Sequence, residues 1–217
     1  MKLTLEWTYK TKSGATTTFT SPILTAHEAL LFAEDIEKTG RMKQLTITDE
    51  YDSTWMIKEL KKYIKELETE PHNITIYFDG SFDHYSNSAG LGIVIFFTQN
   101  NMRYRLRKNA RFDYIKSNNE AEYAALSFAI NEIIELGAHH QSINIKGDSQ
   151  VVINQMNGEW PAYEKDLANW ADQIDELLQK HGFEPQYEFI GRNYNKEADQ
   201  LAAQALQEIE ISALSKQ

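Results

Sequence analysis

Four carboxylates in the second part of the chain stand where a strand pattern ends or a helix pattern runs: Asp79, Glu120, Asp148 and Asp199. Asp79 follows Ile74-Thr75-Ile76-Tyr77-Phe78, and strand alternation places it on the face of Thr75 and Tyr77. Asp148 follows Ile143-Asn144-Ile145-Lys146-Gly147, again at a strand's carboxyl end. Glu120 opens a long helix pattern, and Asp199 lies on the last one. Hard cations such as Mg²⁺ take oxygen ligands from a few carboxylates plus substrate phosphates. Open α/β sheets gather their sites at the carboxyl ends of strands. Each acid also has a plainer role. Asp148 before Ser149-Gln150-Val151 fits a helix N-cap, Ser117 and Glu120 fit a capping box, Asp79-Gly80-Ser81 fits a turn, and Asp199 fits a solvated helix position. The plainer roles leave one thing unexplained, which is four such acids in one element order.

The elements that carry these acids begin after a boundary at 70–72, where a charged helical run, Lys58 to Glu70, meets Pro71. The pattern predicts strands over Ile74–Phe78, Leu91–Phe97, Met102–Arg107, Ser142–Lys146 and Tyr187–Ile190. It predicts helices over Asn119–Leu136, Ser149–Met156, Glu164–Lys180 and Asn195–Gln207. The order is βββαβααβα, an α/β fold with a mixed five-stranded sheet and flanking helices over residues 73–210. Residues 1–70 read separately, as a small α+β module. Leu3, Leu5 and Trp7 alternate as a strand, Thr16–Thr20 form a second, and Thr25–Lys38 form a helix. Gln44–Thr48 and Thr54–Met56 are further strand patterns before the closing helix.

Composition narrows the class. The chain has 217 residues, no cysteine and a net charge of −10, so disulfides, thiolate metal sites and cysteine nucleophiles drop out. No apolar run is long enough to span a membrane, and the N-terminus lacks a signal-peptide core, so a cytoplasmic location is expected. The acidic balance opposes indiscriminate nucleic-acid binding, which rests on basic surface. It is compatible with a carboxylate metal site acting on nucleic acid. The excess sits after the boundary: residues 1–72 carry 10 basic and 12 acidic side chains, and residues 73–217 carry 12 and 20.

Four blocks resemble type 1 ribonuclease H. They are Tyr77-Phe78-Asp79-Gly80-Ser81; Ser117-Asn118-Asn119-Glu120-Ala121-Glu122-Tyr123; Gly147-Asp148-Ser149-Gln150-Val151-Val152; and Asn195-Lys196-Glu197-Ala198-Asp199-Gln200-Leu201-Ala202. The resemblance covers residues 73–208. It implies a metal-dependent endoribonuclease that cleaves the RNA strand of an RNA–DNA hybrid, leaving 5′-phosphate and 3′-hydroxyl ends. It implies two Mg²⁺ ions per site, with Mn²⁺ as substitute, held by Asp79, Glu120, Asp148 and Asp199. In that scheme Asp79 bridges the ions and Asp148 helps hold the nucleophile side. Glu120 serves the other ion and a ribose hydroxyl, and Asp199 completes the first site. Gly80, Ser81, Asn118, Asn119 and Gln150 are the implied substrate contacts.

Three features depart from the usual pattern of that family. The loop Phe82 to Ser88 is not Gly/Pro-rich, no histidine precedes Asp199 within Phe189 to Tyr194, and only Gly158 to Tyr163 separates the second and third helices. The alternative reading is therefore a catalytically weak or inactive protein of the same fold that binds nucleic acid or a partner. Arg103, Arg105 and Arg107 share a strand face, suited to tracking a phosphate backbone or to protecting a sheet edge with charge. Trp160 and Trp170 read as packing residues. Residues 1–70 carry no chemical motif, and a protein partner or self-association is the expectation for them.

Overall fold

The computed structural model describes residues 1–217 as two units, Met1–Thr69 and Glu70–Gln217. In the first, the alternation read at Leu3 and Leu5 forms β1 (Lys2–Lys10). This strand pairs antiparallel with β2 (Thr16–Thr20), β3 (Leu24–Thr25) and β4 (Met42–Asp49), and β4 pairs with β5 (Thr54–Trp55). Helix α1 (Ala26–Lys38) opens on a capping box, in which Thr25 Oγ1 accepts from the Glu28 amide and the Glu28 carboxylate accepts from the Thr25 amide. Leu3, Leu5, Ala29, Ala33 and Ile47 are buried together with Leu60 and Ile64 of α2 (Ile57–Thr69). Trp7 and Trp55 are partly buried against that core.

The second unit is built on a six-stranded mixed sheet, where the sequence pattern predicts five strands. Strands β6 (His72–Asp83), β7 (Ser88–Gln99) and β8 (Met102–Asp113) form an antiparallel meander. Asn100 and Asn101 make the β7–β8 turn, both at positive φ, as a two-residue hairpin of this kind requires. Strands β9 (Ser142–Gly147) and β10 (Glu184–Phe189) add in parallel on the β6 side. The sixth strand, β11 (Ser212–Lys216), lies past the predicted domain end and pairs antiparallel with β8. The full order is β10-β9-β6-β7-β8-β11. Strand β8 is therefore interior, which removes the edge-protection role considered for its arginines.

Helix α3 (Asn118–Glu135) packs on β6 and β7 and against α5 (Lys165–Lys180), burying Ala121 through Leu126 and then Ala129, Ile130 and Ile133. Helices α4 (Gln150–Met156) and α6 (Lys196–Leu206) complete the unit. Helix α6 lies close on β7: a Cβ at Gly92 would fall 2.1 Å from the Ala198 carbonyl oxygen. Glu197 of α6 pairs with both Arg105 and Arg107, so these two guanidinium groups tie helix to sheet. Trp170 packs against the core, whereas Trp160 is 43% exposed, contrary to the packing role expected for it. No helix is long and apolar enough to cross a membrane.

Candidate metal centre

Asp79 does not end its strand. Strand β6 runs on to Asp83 in the hairpin with β7, so the expected Asp79-Gly80-Ser81 turn is continuous strand. What stops near Asp79 is the neighbouring ladder: β6 pairs with β9 only over Thr75–Tyr77 against Asn144–Lys146. Two residues beyond the last pair, Tyr77 with Lys146, stand Asp79 and Asp148. The register thus brings the two acids to one level at the point where the sheet opens.

The third acid is Glu122, not Glu120. Carboxylate oxygens of Asp79, Glu122 and Asp148 all lie within 4.8 Å of one another. Residues two apart on a helix point about 200° away from each other, so only one of Glu120 and Glu122 can face the cluster. Glu122 shares the buried stripe of Leu126, Ala129 and Ile133 that packs on the sheet. Its Oε2 accepts from the Gly80 amide at 3.2 Å. A Cβ at Gly80 would lie 2.2 Å from the Ala121 carbonyl carbon and 2.4 Å from the Glu122 nitrogen, so the bare glycine lets helix and strand approach.

Glu120 is occupied elsewhere. Its Oε2 accepts from the Lys116 amide at 2.8 Å and its Oε1 from Trp170 Nε1 at 3.2 Å, while its own amide donates to Ser117 Oγ at 3.1 Å. It closes the amino end of α3 and fastens it to α5. Ser117 caps α3 as expected, but Glu120 reaches the Lys116 amide and not that of Ser117, so the capping box is only half formed. The carboxylates that converge are those of Asp79, Glu122 and Asp148, and the placement of Glu120 among the metal ligands is corrected.

Asp199 is exposed in the first turn of α6 and lines the same open cleft, of about 360 Å³, as Asp79, Glu122 and Asp148. Gly80, Ser81 and Asn118 also line it. Asn119 is half-buried in the first turn of α3 and Gln150 is exposed at the start of α4, and neither belongs to the lining. Besides Glu122, sequence reasoning missed three polar residues of the cleft, Arg192, Asn193 and Lys196. Arg192 Nε lies 3.9 Å from Asp148 Oδ2, with its side chain 93% exposed. A basic residue beside the fourth acidic block was the available signal.

The electrostatics favour a cation. Burial pushes the Asp79 carboxyl up to about 7, helped by the charges of Asp148 and Asp199 and by a hydrogen bond with Asp148. Burial pushes Glu122 up to about 9, helped by the charges of Asp79 and Asp148 and opposed by the Gly80 amide. Like charges confined in a buried site resist joint ionisation unless an opposite charge is supplied. Arg192 supplies little from its exposed position. All-oxygen donors at this spacing, with unbalanced negative charge, fit a hard divalent cation.

Comparison with known proteins gives the same lineage. A family described as reverse transcriptase-like matches residues 77–205. The chain is 49% identical over 194 residues to the uncharacterized protein YpeP of Bacillus subtilis, covering 89% of this chain and 85% of that one. It is 36% identical over 91 residues to the ribonuclease HI of Halobacterium salinarum, covering 42% of this chain and 44% of the enzyme. Among solved structures, the RNase H1 of Halobacterium salinarum matches with a TM-score of 0.53 and 28% identity, covering 62% of this chain and 98% of that one. The N-terminal RNase H domain of Rv2228c from Mycobacterium tuberculosis matches with a TM-score of 0.54 and 26% identity, covering 63% of this chain and 94% of that one.

Proposed function

Because the chain belongs to the reverse transcriptase-like family and carries its ribonuclease H-like domain, we propose that it is a metal-dependent endoribonuclease acting on the RNA strand of RNA–DNA hybrids. The observation that carries this reading is the triad of buried Asp79 and Glu122 with half-buried Asp148, assembled from a strand, a helix and a strand end. Such a triad is costly for a protein that only binds a partner, since its mutual repulsion is relieved only by a bound cation or by protons the acids are forced to keep. This argues against the non-catalytic alternative.

Asp79, Glu122 and Asp148 would hold the divalent cation, Mg²⁺ or Mn²⁺, with Asp199 at the cleft's exposed side completing a second position. Bound there, a pair of such ions supplies Lewis-acid stabilisation of the attacking and leaving oxygens in a displacement at phosphorus. Arg192 and Lys196 offer cationic donors to phosphate from the same cleft, and Ser81 and Asn118 offer neutral donors to sugar or phosphate oxygens. The 2′-hydroxyl is the group that separates RNA from DNA at such contacts. Cleavage then yields 5′-phosphate and 3′-hydroxyl ends.

The test is cleavage of a labelled RNA–DNA hybrid, double-stranded RNA, double-stranded DNA and single strands, with Mg²⁺ and then Mn²⁺, by wild type and Asp148→Asn. The expected result is metal-dependent cleavage of the RNA strand of the hybrid, lost in the variant. Folded wild-type protein that cleaves no substrate with either metal would favour the binding-protein reading instead.

A further inference from the structure

One buried side chain joins the elements of the acidic cluster without contributing a carboxylate to it. Asn195 is 1% exposed, and its Nδ2 donates at 2.9 Å to the Phe78 carbonyl and at 2.9 Å to Asp148 Oδ1. Phe78 precedes Asp79 and sits just past the end of the β6–β9 ladder. Asn195 therefore takes up a strand carbonyl at the place where the two strands part. Its own carbonyl accepts from the Asp199 amide at 3.1 Å, in the first turn of α6. A single residue thus touches Asp148, the backbone beside Asp79 and the backbone of Asp199.

We propose that Asn195 is a positioning residue for the metal centre, which holds the Asp148 carboxylate in its ligating orientation and fixes its distance from Asp79. The inference rests on reading the acidic cluster as a metal site. The chemistry of a primary amide suits the task, because its two N–H hydrogens serve two acceptors from one nitrogen. Aspartate has the same shape and no donor, so it would turn a lone pair toward Asp148 and another toward the Phe78 carbonyl. Lysine would satisfy Asp148 as an ion pair and compete with the cation for it. The neutral amide occupies Oδ1 and leaves Oδ2 with its charge available to a metal. Partners that orient ligating groups in this way typically alter metal affinity or activity by about 10- to 100-fold.

The experiment is Mn²⁺ titration followed by electron paramagnetic resonance, on the full chain as wild type, Asn195→Asp, Asn195→Ser and Asp148→Asn. Circular dichroism and hybrid-cleavage kinetics are measured on the same samples. The expected result is that folded Asn195 variants bind Mn²⁺ about tenfold or more weakly, with kcat reduced and KM for the hybrid near that of wild type. Folded variants that bind Mn²⁺ as wild type does would overturn the inference and leave the metal reading intact. Wild type that takes up no Mn²⁺ would remove the metal reading, and the inference with it. Should neither variant fold, nuclear magnetic resonance of the wild-type Asn195 carboxamide decides. Its two protons are expected to exchange far more slowly than those of exposed Asn193 and to shift when Mg²⁺ is added. Fast exchange, or no shift, would overturn the proposal.

Discussion

The Gly80 amide meets the Glu122 carboxylate at 3.2 Å, a contact made possible by the missing side chain at position 80. The atoms that a Cβ would strike are backbone atoms of Ala121 and Glu122, which cannot rotate away. Gly80→Ala should therefore push α3 off β6 and draw Glu122 away from Asp79. The expected cost is roughly 1–3 kcal/mol of stability, as for other overpacked sites, together with a large loss of metal affinity. Urea unfolding and Mn²⁺ titration measure the two effects. A variant as stable as wild type, with unchanged Mn²⁺ binding, would show that the close approach is not needed.

Glu120 acts on stability. It accepts from the Lys116 amide and from the Trp170 indole, in the capping turn of α3. Glu120→Gln should cost about 1 kcal/mol, the usual scale for weakened capping and hydrogen bonds. Equilibrium unfolding checks this, and Mn²⁺ affinity should stay at the wild-type value.

The protein without metal should lose stability as pH rises. The native values, about 7 for Asp79 and about 9 for Glu122, lie above the ordinary carboxylate range. The folded state therefore keeps protons that the unfolded chain has already released. This contribution is fully present below about pH 4. It is lost as pH climbs through about 7 and then about 9, because stability falls with pH wherever the native state binds more protons. A melting-temperature series with chelator from about pH 5 to about pH 8 should slope downward. Asp79→Asn should make that slope shallower. Saturating Mn²⁺ should reverse it, since ligating carboxylates must first be deprotonated. A flat profile in chelator would contradict the charge balance assigned to the cluster.

The difference between Glu120 and Glu122 marks how far the sequence could be read. The element order, the strand face of Asp79 and the strand end before Asp148 follow from strand and helix patterns, because those features depend on local periodicity. The strand end expected at Asp79 is absent because β6 is carried on by its hairpin with β7. Ser117 is a true N-cap, though Glu120 reaches the Lys116 amide instead of closing a capping box, and the pattern drew attention from the neighbouring acid. The better guide was the stripe Glu122, Leu126, Ala129 and Ile133, which puts Glu122 on the face that packs on the sheet. Other features depend on partners distant in sequence. Gly80 to Asp83 have little strand character alone and are extended through pairing with β7. Every residue of Ser212–Lys216 is exposed, and the segment forms a strand only by adding to β8.

The attachment of that last strand gives a further expectation. Asn109, 4% exposed, donates from Nδ2 to the Leu201 and Ile209 carbonyls and accepts at Oδ1 from the Ile211 amide. Asn109→Ala strands these groups and should cost about 1–3 kcal/mol. Amide hydrogen exchange should rise first in residues 209–216. Protection there equal to wild type would show that β11 is held by its ladder with β8 alone.

In the proposed metal-dependent nuclease site Glu122 joins Asp79 and Asp148, while Glu120 does not. The most direct measurement is RNA-strand cleavage of a hybrid with Mg²⁺ by wild type, Glu122→Gln and Glu120→Gln, each shown to be folded. Loss of a ligating carboxylate should reduce the rate by about 100-fold or more, beyond the usual effect of a supporting residue, while Glu120→Gln stays close to wild type. Cleavage that survives Glu122→Gln and is lost with Glu120→Gln would contradict the account.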